Sequence, residues 1–270
     1  MEGWVLVVVA LIIVGLIAGV LAGMFGIGGG IVTVPALEAA LSYLEIDPAI
    51  RMHVAVATSL AVIVPTSITS AYAHHRRGSV DLDVVKRWSI YVMGGALIGA
   101  WIASLVHSRV LAFVFALLAL ATAVKLILFP ESRNLTQSVP RAAWVPVIPT
   151  LIGNFSSMMG VGGGTFSVIA LTLFNHPIHR AVGTAALFGL IIALPGTIGF
   201  VVTGLDDVRV PPGSLGYASL IGFALIAPPT VLTAPLGARI AHAFSERKLS
   251  ILFGVISFIA SIRLFYRAMV

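Results

Sequence analysis

Cysteine is absent from the sequence, and charged residues are scarce. Without cysteine, the chain cannot form disulfide bonds, thiolate nucleophiles or cysteine-ligated metal centres. Aspartate, glutamate, lysine and arginine make up 10% of the 270 residues, whereas soluble domains contain about 25%. This shortage excludes an ordinary soluble domain. The basic residues behind the net charge of +6 are scattered between apolar segments, which argues against a nucleic-acid partner.

Apolar residues dominate instead. Hydrophobic side chains make up 59% of the chain, and the mean hydropathy is +1.08. We therefore expect an all-α polytopic membrane protein that has the lipid bilayer as its principal surroundings. No polar tail or loop is long enough for a second domain, so residues 1–270 are predicted to form one membrane transport domain.

Two glycine-rich stretches interrupt the apolar sequence. Residues 23–37 read GMFGIGGGIVTVPAL, and residues 159–171 read MGVGGGTFSVIAL. Glycine costs about 1 kcal/mol per helix position relative to alanine, and backbone freed from a helix cannot stay unpaired in hydrocarbon. These stretches are therefore predicted to lie inside the protein or to line a cavity. One such break in each half of a chain is typical of a transporter's binding site.

Apolar segments flank these breaks and continue along the chain. Two of the segments, 31–44 and 165–174, follow the glycine stretches and are too short to cross a bilayer alone. The predicted segments are 4–24, 31–44, 53–72, 88–106, 110–129, 144–159, 165–174, 179–202, 214–238 and 249–268.

The second half of the chain repeats the first. Repeat one is predicted to cover residues 1–129, a linker 130–142, and repeat two 143–270, and each repeat contains one glycine-broken element and three further spans. The matching positions are residues 26–30 with 160–164, His53 and Thr58 with His179 and Thr184, and residues 125–126 with 263–264.

The number of crossings in each half decides how the halves are related. If each broken element is a re-entrant hairpin, each half crosses an odd number of times and the halves are inverted. If the element crosses once, the halves are parallel. The distribution of lysine and arginine between the loops favours the inverted arrangement, with both termini outside.

The breaks can bind an anion without a basic side chain. A helix that resumes after a glycine turn presents free N–H groups and the positive end of its dipole. Two such helix starts facing each other form an anion site, to which Ser156, Ser157 and Ser167 could add hydroxyl donors. The predicted substrate-binding residues are Gly26, Gly28, Gly29, Gly30, Thr33, Thr58, Ser59, Asn154, Gly160, Gly162, Gly163, Gly164, Thr165 and Thr184.

Other interpretations of these residues stay open. The glycines could serve close helix packing alone, and Thr58 and Thr184 could bond carbonyl groups of their own helices. Glu38, His53 and His179 are candidates for proton coupling, although the two histidines at the starts of spans could equally be interfacial. No cofactor is predicted, because the glycines match neither a P-loop nor a dinucleotide-binding fingerprint, and no metal site is predicted, because the histidines lie at loop edges and no HExxH motif occurs.

The chain resembles the sulfite exporter TauE/SafE family of membrane transporters. The resemblance rests on residues 26–30, residues 57–59 with Pro65 downstream, residues 160–164 and residues 183–184, and it covers essentially the whole length. It implies transport of sulfite, sulfoacetate or other small organosulfonates across the bacterial inner membrane. The second half departs from the first, since Ala185 stands where the first half has Ser59.

These observations predict a secondary transporter for a small sulfur-containing oxyanion. The anion is expected to bind between the two breaks at mid-membrane with alternating access, and the resemblance favours export. The small anionic substrate and the bilayer are the expected partners, and a homodimer is left open. The alternatives are a channel for a small ion or neutral solute, with glycine-loop carbonyls as ligands, and a membrane enzyme with a buried polar pocket.

Overall fold

A computed structural model describes residues 2–128 and 146–269 of the chain. Seven helices in these two ranges are long and apolar enough to cross a membrane, so the expected all-helical, multi-pass character is confirmed. The helices are α1 (Glu2–Phe25), α2 (Gly30–Tyr43), α3 (Arg51–His75), α4 (Leu82–Leu105), α5 (Ser108–Leu128), α6 (Val147–Met159), α7 (Gly164–Leu173), α8 (Ile178–Gly204), α9 (Leu220–Ala243) and α10 (Glu246–Met269), and the strands are β1 (Ser214–Leu215) and β2 (Ala218–Ser219).

The helices agree with the predicted segments within a few residues at most ends. The first glycine stretch separates α1 from α2, and the second separates α6 from α7, so both predicted breaks are present. Both α2 and α7 are shorter than the 20 or so residues that a span requires. The predicted linker, 130–142, and the start of the sixth segment at Trp144 lie outside the described residues.

One predicted segment, 214–238, begins differently. Residues 214–219 form an antiparallel hairpin of β1 and β2 instead of helix, and α9 starts only at Leu220. The turn places Gly216 at φ 52°, a conformation that glycine adopts without steric cost. The Ser219 hydroxyl then accepts the N–H of Gly222 at 3.1 Å and caps the helix. Hydropathy alone did not reveal the hairpin or this cap.

Glycines let two pairs of helices pack with their backbones nearly in contact. A Cβ atom on Gly19 of α1 would lie 2.3 Å from the carbonyl oxygen of Thr230 in α9, and one on Gly23 would lie 1.9 Å from the carbonyl oxygen of Ala234 in the same helix. In the other half, a Cβ atom on Gly95 of α4 would lie 2.1 Å from the carbonyl oxygen of Thr150 in α6. Small residues of this kind allow the close approach that van der Waals packing requires in a membrane.

The central helices of the fold are α3 and α8. They pack against each other along their length, and α3 is the most deeply buried of the seven long helices in the described ranges. Around this pair, α1 packs on α9, α6 packs on α4, and α5 packs on α10. The glycine breaks between α1 and α2 and between α6 and α7 therefore lie against the most enclosed part of the protein.

One end of the molecule, called the first end, holds the start of α3 and the last residues of α4. There the His53 Nε2 atom lies 3.0 Å from the carbonyl oxygen of Ala103. The start of α1 and the end of α2 meet at this same end, since a Cβ atom on Gly3 would lie 3.0 Å from the Tyr43 hydroxyl. The first residues of α1 and the last residues of α2 therefore lie next to each other.

The opposite end, called the second end, holds the starts of α4 and α8. Asp81 caps α4, lies 3.3 Å from the Nε2 atom of His176 and forms an ion pair with Arg180 at 3.4 Å. Burial alone would raise the pKa of the Asp81 carboxyl, but hydrogen bonds from the Val84 N–H and His176, together with the Arg180 charge, lower the pKa below its usual value. These contacts join α7 and α8 to the start of α4.

Candidate functional site

The two glycine breaks meet inside the protein. A Cβ atom on Gly30 would lie 2.2 Å from the carbonyl oxygen of Gly160, and one on Gly164 would lie 2.4 Å from the carbonyl oxygen of Gly26. The start of each break therefore contacts the end of the other, and the two segments run side by side in opposite directions. All residues of both breaks are buried.

Two helices start at this meeting point. Gly29 caps α2 at φ 81° and Gly163 caps α7 at φ 70°, a left-handed conformation that strongly favours glycine. Val32 is the first residue of α2 whose N–H bonds back to Gly29, at 3.0 Å. The N–H groups of the residues just before it have no acceptor within the helix. Both helix starts therefore direct partial positive charge at the enclosed centre.

A chain of hydrogen bonds links the first break to the second. The Ser59 hydroxyl donates to the carbonyl oxygen of Gly160 at 2.8 Å, and it lies 2.7 Å from the Thr33 hydroxyl. Because Ser59 has one hydroxyl hydrogen, Thr33 is the donor of the second bond in this arrangement. Thr33, Ser59 and Gly160 are fully buried, so this chain contributes to holding α2, α3 and the second break together.

Around the second break, several hydroxyl groups are buried without a partner. Ser156 and Ser157 precede the break, and Thr165 and Ser167 follow it. None of the four hydroxyls has a hydrogen-bond partner among the described residues. A buried hydroxyl left unpaired costs about 1–3 kcal/mol. These unpaired hydroxyls on both sides of the second break are therefore the strongest indication of a polar ligand in the described part of the chain.

The two halves differ at a position that bears on the unpaired hydroxyl of Ser167. When the two glycine motifs are aligned, Ser167 takes the position of Thr33, which bonds Ser59. The residue aligned with Ser59 is Ala185, which has no hydroxyl. The second break thus retains the donor and lacks its intramolecular partner.

Ser67 of α3 belongs to the same region, although no motif in the sequence marks it. A Cβ atom on Gly189 of α8 would lie 2.5 Å from the Ser67 hydroxyl oxygen and 2.9 Å from the carbonyl oxygen of Gly162. Ser67 is buried, and its hydroxyl is also unpaired among the described residues. A serine on a buried helix face is recognisable as a site residue only from the tertiary contacts.

A comparison of the chain with known protein families gives a match to the model of the sulfite exporter TauE/SafE family over residues 11–264. The chain belongs to this family. It is 34% identical to a probable membrane transporter protein of Haemophilus influenzae over 227 residues, which is 84% of this chain and 86% of that protein. A probable membrane transporter protein of Methanocaldococcus jannaschii is 24% identical over 90% of this chain and 89% of its own length. No solved structure matches the chain.

Membership of the TauE/SafE family makes the chain a membrane transporter and not an enzyme. The seven long apolar helices of its described part agree with a multi-pass membrane protein. The description of the family names sulfite, but neither relative's name states a substrate. The chemistry of the site in this TauE/SafE protein must therefore be inferred from its residues.

Two predicted binding residues of the TauE/SafE protein bind loops of the opposite half. The Thr58 hydroxyl oxygen accepts the N–H of Ser219 at 2.9 Å, and the Thr184 hydroxyl oxygen accepts the N–H of Asp81 at 2.9 Å. Ser219 and Asp81 are the N-cap residues of α9 and α4. The two threonines are therefore held at different loops and are not brought together between the breaks. Their bonds are to these cap residues and not to their own helices.

The remaining predicted residues lie at several places. Asn154 is half-buried where α6 packs on α4. Its backbone carbonyl oxygen would lie 2.3 Å from a Cβ atom on Gly99. His53 is buried at the first end, and His179 is half-buried at the start of α8. Glu38 is 4% exposed and pairs with an arginine near the first end. A role in proton coupling for Glu38 and the two histidines stays a prediction.

Proposed function

We propose that this transporter moves a small sulfur-containing oxyanion, sulfite or an organosulfonate, and binds it at the paired breaks. The single observation that carries the proposal is the group of unpaired buried hydroxyls at the second break, including Ser157, Thr165 and Ser167. A tetrahedral or pyramidal oxyanion accepts several short O–H and N–H bonds at once. The starts of α2 and α7 add backbone N–H groups and favourable dipoles.

The absence of cysteine and of a metal-ligand cluster is compatible with this choice, because oxyanion binding needs only donors. No group of three or more histidine, aspartate or glutamate side chains suited to a metal occurs among residues 2–128 and 146–269. A neutral donor set also allows release, since a buried lysine or arginine would hold a small anion more tightly.

We further propose that the halves are inverted repeats and that each broken element is a re-entrant hairpin. The packing supports this, because α1 on α9 corresponds to α6 on α4, and both pairs use glycines. The bonds of Thr58 to the cap of α9 and of Thr184 to the cap of α4 form a second matched pair. The return of α2 to the end where α1 starts is what a re-entrant hairpin requires.

Alternating access follows from this symmetry. Residues 26–30 and 160–164 are buried in the present conformation, which corresponds to a closed site. Relative movement of the two hairpins would open the site to one end or the other. The second end carries Arg76, Arg77, Lys86 and Arg87, so we assign it to the cytoplasm. Export across the bacterial inner membrane is then movement from the second end to the first.

The experiment that tests the proposal removes the unpaired hydroxyls one at a time. Ser167→Ala and Thr165→Val delete donors that make no bond within the described protein, so thermal stability without ligand should stay equal or rise slightly. Each charge-assisted hydrogen bond contributes about 1.5–3 kcal/mol, so the dissociation constant for the transported anion should rise about 10- to 100-fold. The measurements are the anion-induced change in melting temperature and flux of labelled anion in proteoliposomes.

The control for this experiment is Gly94→Val in α4, since a Cβ atom at Gly94 meets nothing within 4 Å. Sulfite, taurine, sulfate and phosphate are compared on the same samples. If Ser167→Ala and Thr165→Val bind and transport every one of these anions as well as the unchanged protein does, the hydroxyl cluster is not the site. If no anion alters the melting temperature of the unchanged protein, the oxyanion proposal is wrong.

A further inference from the structure

A charged cavity lies at the first end, away from the breaks. Its volume is about 140 Å³, many times the roughly 10–15 Å³ that one water needs on the same measure. The cavity lies where α2 and α10 end and where α3 and α5 begin. We call it the mouth pocket and define it by its four charged lining residues, Glu38, Arg51, Arg109 and Arg267.

The charges of the mouth pocket are not balanced among the described residues that line it. Its three guanidinium groups face a single carboxylate, which leaves a formal excess of two positive charges. The one ion pair joins Arg267 Nε to Glu38 Oε1 at 3.2 Å. Arg109 forms no hydrogen bond and no ion pair with any described residue. Arg51 donates only to neutral oxygens, the carbonyl of Ile46 at 2.5 Å and the hydroxyl of Ser42 at 3.1 Å.

Glu38 is also incompletely paired. Its Oε1 atom bonds Arg267, but its Oε2 atom is buried and has no partner among the described residues. A buried carboxylate oxygen without a donor is costly, so the pocket does not supply all the hydrogen bonds that the Glu38 carboxylate can accept. The Arg267 guanidinium also donates to the Ser42 hydroxyl that Arg51 contacts. Arg51, Arg267 and Glu38 thus form one connected cluster beside the cavity.

We infer that the mouth pocket is a second oxyanion-binding site, in which the bound anion and the Glu38 carboxylate compete for Arg267. Guanidinium groups present planar pairs of N–H donors that match the oxygens of phosphate, sulfate, sulfonate and carboxylate groups. Arg109 and Arg51 supply further donors around the same cavity. The site differs from the paired breaks in its donors, which are charged side chains and not hydroxyls and backbone amides.

The position of Glu38 connects this pocket to the fold. Glu38 lies in α2, the helix whose first residue, Gly30, contacts the second break. An anion that displaces the Glu38 carboxylate from Arg267 releases a contact between α2 and α10. This inference rests on the proposed function only for the class of ligand. The excess of positive charge in the mouth pocket does not depend on what binds at the breaks.

Two sources can supply such an oxyanion, a soluble anion and the phosphate of an anionic lipid headgroup. We therefore test the full-length protein in nanodiscs of phosphatidylcholine alone and in nanodiscs that also contain phosphatidylglycerol. Inorganic sulfate and sulfite are the probes, and the dissociation constants are measured by titration calorimetry. A soluble ligand gives binding that depends on Arg109 in both lipids. If the ligand is a lipid headgroup, sulfate should bind more weakly in discs that contain phosphatidylglycerol than in discs of phosphatidylcholine alone. Arg109→Gln should abolish this difference.

The variants separate the mouth pocket from the breaks. Arg109→Gln should raise the mouth-pocket dissociation constant about tenfold or more and leave the melting temperature without ligand unchanged, since Arg109 makes no bond to the described residues. Glu38→Gln should lower the dissociation constant, because the competing negative charge is gone. The matched control is Arg263→Gln, one turn before Arg267 on α10 and exposed outside the pocket lining, which should change neither value.

The outcome distinguishes this inference from the proposed function. If Ser167→Ala abolishes all anion binding and Arg109→Gln has no effect in either lipid, the mouth pocket is not a site and the proposal for the breaks stands. If Arg109→Gln removes one class of binding and Ser167→Ala has no effect, the mouth pocket is a site and the proposal for the breaks is wrong. Equal effects of Arg109→Gln and Arg263→Gln would show only general electrostatic attraction and would overturn the inference.

Discussion

The hydroxyl of Ser59 provides a direct test of how the two breaks are held together. In Ser59→Ala, the carbonyl oxygen of Gly160 loses its 2.8 Å donor and the Thr33 hydroxyl loses its 2.7 Å partner. Without Ser59 as its acceptor, the Thr33 hydroxyl can donate to the carbonyl oxygen of Gly29, which lies 3.3 Å away, but the methyl group of the introduced alanine offers Gly160 no replacement donor. We therefore expect Ser59→Ala to lower the free energy of unfolding by the cost of leaving one buried carbonyl group without a hydrogen-bond donor.

The size of this effect follows from general values. Leaving a buried acceptor unsatisfied costs about 1–3 kcal/mol, and removing one oxygen atom leaves only a small void. For a chain of this length, 1 kcal/mol corresponds to a change in melting temperature of about 2–4 °C. Ser59→Ala should therefore lower the melting temperature of the purified protein by roughly 2–12 °C, measured by differential scanning fluorimetry in one detergent.

The matched control is Ser67→Ala on the same helix. Ser67 is also a buried serine of α3, but its hydroxyl has no partner among the described residues. Its removal leaves no group unsatisfied, so the melting temperature without ligand should stay equal or rise. If Ser59→Ala and Ser67→Ala lower the melting temperature by the same amount, the hydrogen bond to Gly160 does not stabilise the junction and the reasoning fails.

Two other changes test the difference between the two breaks and the ionisation of Tyr217 in the turn between β1 and β2. Ala185→Ser should give Ser167 a partner and raise the unfolding free energy by about 0.5–1.5 kcal/mol, with a smaller sulfite-induced shift; a lower melting temperature would show that the added oxygen does not fit. Burial, and then the hydrogen bond that its hydroxyl donates to Asp207, raises the pKa of Tyr217 from 10.0 to about 12. The folded state therefore keeps this proton to a higher pH than the unfolded chain, and stability should fall between pH 10 and about 12. Tyr217→Phe should reduce this fall in alkaline thermal scans, and an unchanged fall would assign it to other groups.

Hydropathy and glycine placement were sufficient to locate almost every helix. The breaks around Gly29 and Gly163 are present where the glycine motifs predicted them, because left-handed backbone and close contact leave few alternatives to glycine. The exception was the hairpin before α9. Hydropathy does not distinguish an apolar hairpin from the first turns of an apolar helix, so the segment starting at Ser214 was misassigned.

The candidate site was less predictable than the fold. The hydroxyl residues near the breaks were recognisable by type, but their hydrogen-bond partners were not. Thr58 and Thr184 stand in equivalent motifs, and both accept an N–H from a helix cap more than 100 residues away in sequence. Ser67 was missed because a single serine in an apolar helix has no local signal. Glu38 was noticed as an isolated acid, while its partner Arg267 lies at the other end of the chain.

Local chemistry along the chain is enough to establish a multi-pass helical protein with two glycine-broken elements and membership in the TauE/SafE family. Apolar length, glycine conformation and motif spacing are properties of neighbouring residues, and they do not depend on how the chain is packed. The contact between the two breaks, the unpaired hydroxyl of Ser167 and the arginine excess of the mouth pocket arise only after folding. Each of them joins residues that are distant in sequence, and whether a buried polar group finds a partner depends on which helices meet there.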